Sequence, residues 1–247
     1  MLFGKDARDL VPLVGAHPPL VLVEDNPEVV VCYGGDGTLL TAELQWPGVP
    51  KVPIRNSRRG NKCIPHTPQA VLDRLAAQSL HRTEFAKLEC ALCQKGHDEP
   101  TCYLTAMNEF NVHMGRINSS VRYMIWVDDE PYRPSRYDTE DHEIIGDGFI
   151  ISTPFGSTAY FNQITRGVFR VGMGIAFKFT SEQANHLVVD DNCVIRVLIT
   201  RGPAVVAFDN APDYFELNEG DELLVRKHPK KAIILTWHEM KYPSDTF

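Results

Sequence analysis

The chain has 247 residues, 43% of them hydrophobic and 23% charged, a balance that excludes disorder and fibrous structure. Its net charge of −7 argues against general binding to the phosphate backbone of nucleic acid, which draws on a surplus of Lys and Arg. The charged start Met1-Leu2-Phe3-Gly4-Lys5-Asp6 lacks the apolar core of a signal peptide, and no stretch approaches the about eighteen apolar residues of a membrane span. Six cysteines, scattered without the density of a disulfide scaffold, fit a reducing compartment, so the expectation is a cytoplasmic protein with neither nucleic-acid nor membrane partners.

Residues 6–15 read as a short helix with Pro12 inside its pattern. Two Val-rich runs, Leu20 to Val23 and Val29 to Tyr33, are short and bounded by Pro, Asp and Asn, as buried strands are. Thr67 then offers an N-cap, Pro68 the first helical position, and Val71, Leu72, Leu75 and Ala76 recur at helical spacing. From residue 84 the texture becomes antiparallel: Phe85 to Leu92, Tyr103 to Val112, Val121 to Val127, Phe149 to Ser152, Val194 to Thr200, Ala204 to Phe208, Glu222 to Val225 and Ala232 to Trp237. Gly167 to His186 gives no clear element. The predicted architecture is an α/β N-terminal domain with a Rossmann-like parallel sheet, residues 1–82, followed by a β-rich domain, residues 83–247. A return of the C-terminal segment to the first domain stays open.

Three segments carry chemistry. In Val29 to Leu40 a buried strand runs into Gly34-Gly35-Asp36-Gly37-Thr38 and then a helix, leaving unpaired backbone N–H groups at the turn, an anion site that glycines let a phosphate approach. Asp36 is out of place beside phosphate unless it binds a metal or takes a proton from an attacking hydroxyl; its plain alternative is a helix cap. Asp147-Gly148 leads through an apolar run into Thr153-Pro154-Phe155-Gly156-Ser157-Thr158-Ala159-Tyr160, hydroxyls that either cap a helix or bind ribose or phosphate. Asn108-Glu109 sits in a β-like run whose neighbours face opposite sides unless the strand ends there.

These blocks, in this order, resemble the signatures of the NAD kinase family from about residue 20 to residue 237. The resemblance implies phosphoryl transfer from ATP or polyphosphate to the 2′-hydroxyl of the adenosine ribose of NAD, with Mg²⁺, in a homodimer or homotetramer. It places Asp36 at the attacked hydroxyl as catalytic base or orienter, and Gly34, Gly35, Gly37 and Thr38 around phosphate. Asn108 and Glu109 would hold ribose hydroxyls, Thr158, Ala159 and Tyr160 would line the adenine and nicotinamide pockets, and Asp147 would lie at the nicotinamide end.

The chain departs from the family in four places. After Tyr160 the family's Asn-x-Ser-x-Gly-Gly-Pro reads Asn162-Gln163-Ile164-Thr165-Arg166-Gly167, which narrows or reshapes the dinucleotide pocket. The family's Asn-x-Gly-x-x-Gly-Phe reads Asn56-Ser57-Arg58-Arg59-Gly60-Asn61, so Arg58 and Arg59, with Arg55, either clamp a donor phosphate or form a solvated loop. An Asp-Gly near the C-terminal strands reads Asp209-Asn210, and the family's first strand is stubby or absent at Met1 to Phe3. Competing readings are a non-catalytic or redirected nucleotide-binding protein of the same fold and a lipid kinase-like protein, since Gly-Gly-Asp-Gly-Thr occurs in both kinds of kinase. Cys90, Cys93, His97 and Cys102 have zinc-ligand types, although Cys90 and Cys93 would face opposite sides of a strand. The acidic run Asp138 to Glu143 reads as a solvated loop, with cation binding as the minor reading.

Overall fold

A computed structural model of the chain describes residues 1–133, 142–181 and 183–245. Asp138 to Asp141 of the acidic run lie outside the described residues. The chain forms two compact units, residues 1–85 with 230–247, and residues 86–229. Among the described residues no helix is long and apolar enough to cross a membrane.

The first unit opens with β1 (Leu2–Phe3), a 3₁₀ turn at Ala7–Leu10, and α1 (Val11–Gly15). The predicted helix over 6–15 is thus split, and Pro12 falls in the first turn of α1, where its missing N–H costs nothing. There follow β2 (Val30–Gly34), α2 (Asp36–Gln45), β3 (Lys51–Arg55), α3 (Pro68–Ala76) and β4 (His81–Phe85). Thr67 caps α3, its hydroxyl accepting from Ala70 N. Leu20 to Val23 is not a strand. Pro18 and Pro19 ahead of it lack N–H groups, and the open edge of β2 is already taken by β1, which pairs in parallel through Leu2–Val31 and Phe3–Cys32. Val21 and Leu22 are consequently left exposed.

The second unit holds β5 (Leu88–Cys93), β6 (Cys102–Ala106), β7 (Glu109–Met114), β8 (Val121–Val127), β9 (Glu130–Pro131), β10 (Ile144–Gly146) and β11 (Gly148–Ser152). It continues with α4 (Tyr160–Thr165), β12 (Met173–Lys178), β13 (Leu187–Val189), β14 (Ile195–Arg201), β15 (Ala204–Phe208), β16 (Phe215–Leu217) and β17 (Glu222–Lys227). Two antiparallel sheets result, ordered β10-β8-β14-β17-β5-β6 and β13-β12-β11-β7-β15-β16. Their alternating apolar residues share one core, including Tyr123, Phe149, Ile175 and Val197. The predicted strand Tyr103 to Val112 breaks at Met107 and Asn108, where the chain passes from the first sheet to the second.

β12 lies in the stretch that gave no sequence signal. Strands announce themselves by alternation, and all six of its residues are buried. Met173, Ile175 and Phe177 face the common core, while Ala176 joins Ile150, Phe161 and Phe169 in a second cluster under α4. A Cβ on Gly174 would come within 2.4 Å of the Phe169 ring and 2.7 Å of the Phe161 ring, so only glycine lets those rings come this close to the strand.

The chain then returns to the first unit as β18 (Ala232–Thr236), completing a sheet ordered β1-β2-β3-β18-β4. Its pairs are parallel except β18 with β4, which run antiparallel, so the predicted parallel sheet has one antiparallel edge. The predicted strand Phe85 to Leu92 is accordingly two strands: β4 ends at Phe85 in this sheet, and β5 belongs to the second unit.

Candidate active site

In the first unit, β2 ends at Gly34 and α2 starts at Asp36, with Gly35 between them in extended conformation. The turn is closed by contact: a Cβ on Gly34 would lie 2.2 Å from Thr38 Oγ1, and one on Gly35 would lie 2.9 Å from Ser57 Oγ. Asp36 sits in the first turn of a ten-residue helix, where the helix dipole favours negative charge. Its carboxylate accepts the backbone N–H groups of Asn61 (3.1 Å) and Lys62 (2.8 Å), with the Cys63 thiol 3.5 Å away. The loop after β3 is itself tied back, Asn56 N donating to Gly34 O at 2.7 Å and Arg55 N to Ile64 O at 3.0 Å. Arg58 and Arg59 are exposed on this loop.

Lys62, which the sequence did not single out, is 4% exposed. Its Nζ donates to the carbonyls of Pro243 (3.1 Å) and Asp245 (2.8 Å), fastening the C-terminal segment to the loop that holds Asp36. Burial pushes its pKa down to about 8, against the pull of the Asp36 and Asp245 carboxylates. Burial and the Asp36 charge push the Cys63 thiol well up, which makes it inert at neutral pH.

In the second unit, Asn108 precedes β7 and Glu109 opens it, so the strand does end where the two residues meet. Asp209, at φ +45°, reaches across from the end of β15. Its carboxylate accepts Met107 N (2.6 Å), Asn108 N (2.6 Å) and Glu109 N (3.4 Å). Glu109 Oε2 is buried without a hydrogen-bond partner, and burial, aided by the Asp209 charge, raises the Glu109 pKa to about 8. At neutral pH this carboxyl is mostly protonated and able to donate.

The Thr153 to Tyr160 turn packs on the same backbone. Thr153 N donates to Asn108 O at 2.9 Å and Thr153 Oγ1 to Met107 O at 2.6 Å. A Cβ on Gly156 would fall 2.3 Å from Asn108 O. Ser157 is fully buried, its hydroxyl donating to Pro154 O with Phe169 O as the alternative acceptor, a structural role, while Thr158, Ala159 and Tyr160 stay half-exposed. Asp147 and Tyr160 line a cavity of about 650 Å³, joined by His113, Lys178 and Phe177, with Gln163, Ile164 and Arg166 of the divergent segment in its wall.

A family model for the ATP-NAD kinase C-terminal domain matches residues 107–236. The chain belongs to that family. It is 30% identical over 146 residues to an NAD kinase of Tolumonas auensis, covering 57% of this chain and 46% of the relative. To an NAD kinase of Clostridium botulinum it is 24% identical over 224 residues, covering 87% of this chain and 75% of the relative. The match therefore spans about half the length of the first relative and three quarters of the second. A yeast NADH kinase complexed with NADH superposes with a TM-score of 0.75 at 20% identity, covering 86% of this chain and 62% of that one. An Archaeoglobus fulgidus NAD kinase in complex with ATP gives 0.71 at 19%, covering 94% and 90%. The fold is that of NAD kinases.

Within this family fold the residues singled out by sequence gather into two sets. Gly34 to Thr38 form one turn in the first unit, with Arg58 and Arg59 on the loop folded over it. Asn108, Glu109, Asp147, Thr158, Ala159 and Tyr160 all lie in the second unit, where backbone contacts tie the Asn108 segment to the turn that leads into Thr158. Lys62 and Lys178 escaped sequence reading, and His113, which by its residue type could serve as acid, base or ligand, was given no role; the only signal for Lys178 was a lysine closing an apolar run. The Cys90, Cys93, His97 and Cys102 set is divided: Cys90 and the residue opposite Cys102, Leu92, face the core, and Cys93 faces the other side. Among the described residues no group of three or more His, Cys, Asp or Glu is placed to hold a metal ion.

Proposed function

We propose that this chain is an NAD kinase-like phosphotransferase that moves a phosphoryl group from ATP or polyphosphate to the 2′-hydroxyl of the adenosine ribose of NAD, giving NADP. The observation that carries the reading is the Asp36 carboxylate, fixed by two backbone N–H groups in a glycine turn at a helix start. That group accepts the proton of the 2′-hydroxyl as its oxygen bonds to the terminal phosphorus and the bond to the leaving phosphate breaks. The turn's N–H groups and Thr38 hold donor phosphate, with Gly34, Gly35 and Gly37 giving it access and Arg58 and Arg59 neutralising its charge. Asn108 and protonated Glu109 hold ribose hydroxyls; Thr158, Ala159 and Tyr160 line the base pockets; Asp147 meets the nicotinamide end.

Mg²⁺ fits this residue set when carried on the donor phosphates, its ordinary mode, rather than in an all-protein cage, and it supplies charge neutralisation of the transferring group. The reading includes a cytoplasmic setting, which six unpaired cysteines suit, and a homodimer or homotetramer. The wall formed by Gln163, Ile164 and Arg166 favours a second reading, a nucleotide binder without turnover.

Incubating purified protein with NAD, Mg²⁺ and ATP or polyphosphate, and detecting NADP with a strictly NADP-dependent dehydrogenase, decides between them. Wild type is expected to form NADP and Asp36→Asn to lose at least about a hundredfold in kcat. A thermal shift with NAD but no NADP from wild type would support the binder instead.

A further inference from the structure

Lys178 brings a positive charge into the cavity of the second unit for which the reaction proposed above has no use. It ends β12, is 4% exposed, and its Nζ lies 2.7 Å from Asn111 Oδ1 and 3.3 Å from His113 Nδ1. The histidine nitrogen is not an acceptor. It also sits 2.8 Å from the carbonyl oxygen of Asp147, which can only accept, so Nδ1 carries the hydrogen. Asn111 is therefore the acceptor of Lys178 among the described residues, and Lys178 lines the cavity.

Burial pushes the Lys178 pKa down to about 8, with the Asp147 carboxylate opposing, so the ammonium is mostly charged at neutral pH. The Asp147 carboxylate acts on it through space, without a salt bridge among the described residues. The Tyr160 ring centroid lies 5.8 Å from Nζ, and Tyr160 lines the same cavity. One cavity thus presents the Asp147 carboxylate, the Tyr160 ring and the Lys178 ammonium.

We infer that Lys178 is a specificity residue that selects a pyridinium ring bearing a carboxylate, the acid form of the dinucleotide, over the carboxamide form. This rests on the proposed function, which puts the pyridine end of the dinucleotide beside Asp147 and Tyr160. The ring's positive nitrogen suits Asp147 and the face of Tyr160. Its 3-substituent meets Lys178: a carboxylate accepts a charge-assisted pair from the ammonium, whereas an amide oxygen offers a neutral acceptor, a difference of about tenfold in affinity. Tyr160 and Asp147 serve either ligand, so discrimination falls on Lys178.

Calorimetric titration of the full chain at pH 7 with NAD and with its acid analogue, nicotinic acid adenine dinucleotide, tests the inference without needing turnover. Wild type is expected to bind the acid form about tenfold more tightly, and Lys178→Met to bring the ratio to about one. Methionine keeps the unbranched stem and removes a costly buried charge, so the variant is expected to fold, and the wild-type ratio stands by itself in any case. Equal affinities in wild type, or a preference that survives Lys178→Met, would overturn the inference and leave the dinucleotide site standing. Binding of neither dinucleotide would overturn the site reading and this inference with it.

Discussion

Gly156→Ala should damage the second unit far more than its single added methyl suggests. The new Cβ would lie 2.3 Å from Asn108 O and 2.6 Å from Asn108 C and Cα, where ordinary contact starts at 3.4 Å, so one backbone must retreat by about 1 Å. Neither is free to do so. Thr153 N is bonded to Asn108 O at 2.9 Å, Thr153 Oγ1 to Met107 O at 2.6 Å, Ser152 Oγ to Asn108 O at 3.2 Å and Gly156 N to Thr153 Oγ1 at 3.0 Å. Losing two of these at about 1 kcal/mol each, on top of about 1–3 kcal/mol of overpacking, gives a destabilisation of about 3–5 kcal/mol. Gly156 has no left-handed φ, so the effect is purely steric. The control is Gly15→Ala, whose Cβ meets nothing within 4 Å and which should lie within about 1 kcal/mol of wild type, toward greater stability. Urea unfolding followed by circular dichroism compares them. A Gly156→Ala chain within about 1 kcal/mol of wild type would refute the claim that the two motif blocks are held in register by backbone contact.

Three further outcomes follow from the site. The Glu109 carboxyl holds its proton to about pH 8 in the folded chain but only to its ordinary value when unfolded, so it costs stability progressively as pH rises between the two; Glu109→Gln should match wild type near pH 4 and melt higher than it at pH 9, and parallel melting curves across that range would contradict the buried, protonated assignment. Lys62→Met removes the donor to Pro243 O and Asp245 O, so amides of residues 240–245 should lose about 1–2 kcal/mol of hydrogen-exchange protection, while unchanged exchange would mean the fastening is not Lys62. Replacing Arg58 and Arg59 together by Ala should raise KM for ATP about tenfold with kcat little altered; an unchanged KM would make them a solvated loop.

Much of this protein was legible in one dimension because its chemistry sits on contiguous segments. The turn Gly34 to Thr38 declares a strand, a tight approach and a helix start within a few residues, and Thr67-Pro68 marks a helix start by local capping alone. What depends on residues distant in the chain was not legible. Leu20 to Val23 has strand composition, yet the two residues of β1 occupy the edge it would need. β12 lacks alternation because α4 covers its outer face, and neither fact is local. Asp209 is an ordinary loop aspartate until the fold carries it over the N–H groups of Met107, Asn108 and Glu109, more than ninety residues earlier in the chain. The sequence by itself determined the strand-turn-helix that presents Asp36, since propensity, capping and glycine sterics act over a few residues. Only the tertiary structure decided which charges stand in a cavity, as Lys178 does, because burial and hydrogen-bond supply are properties of everything packed around a group.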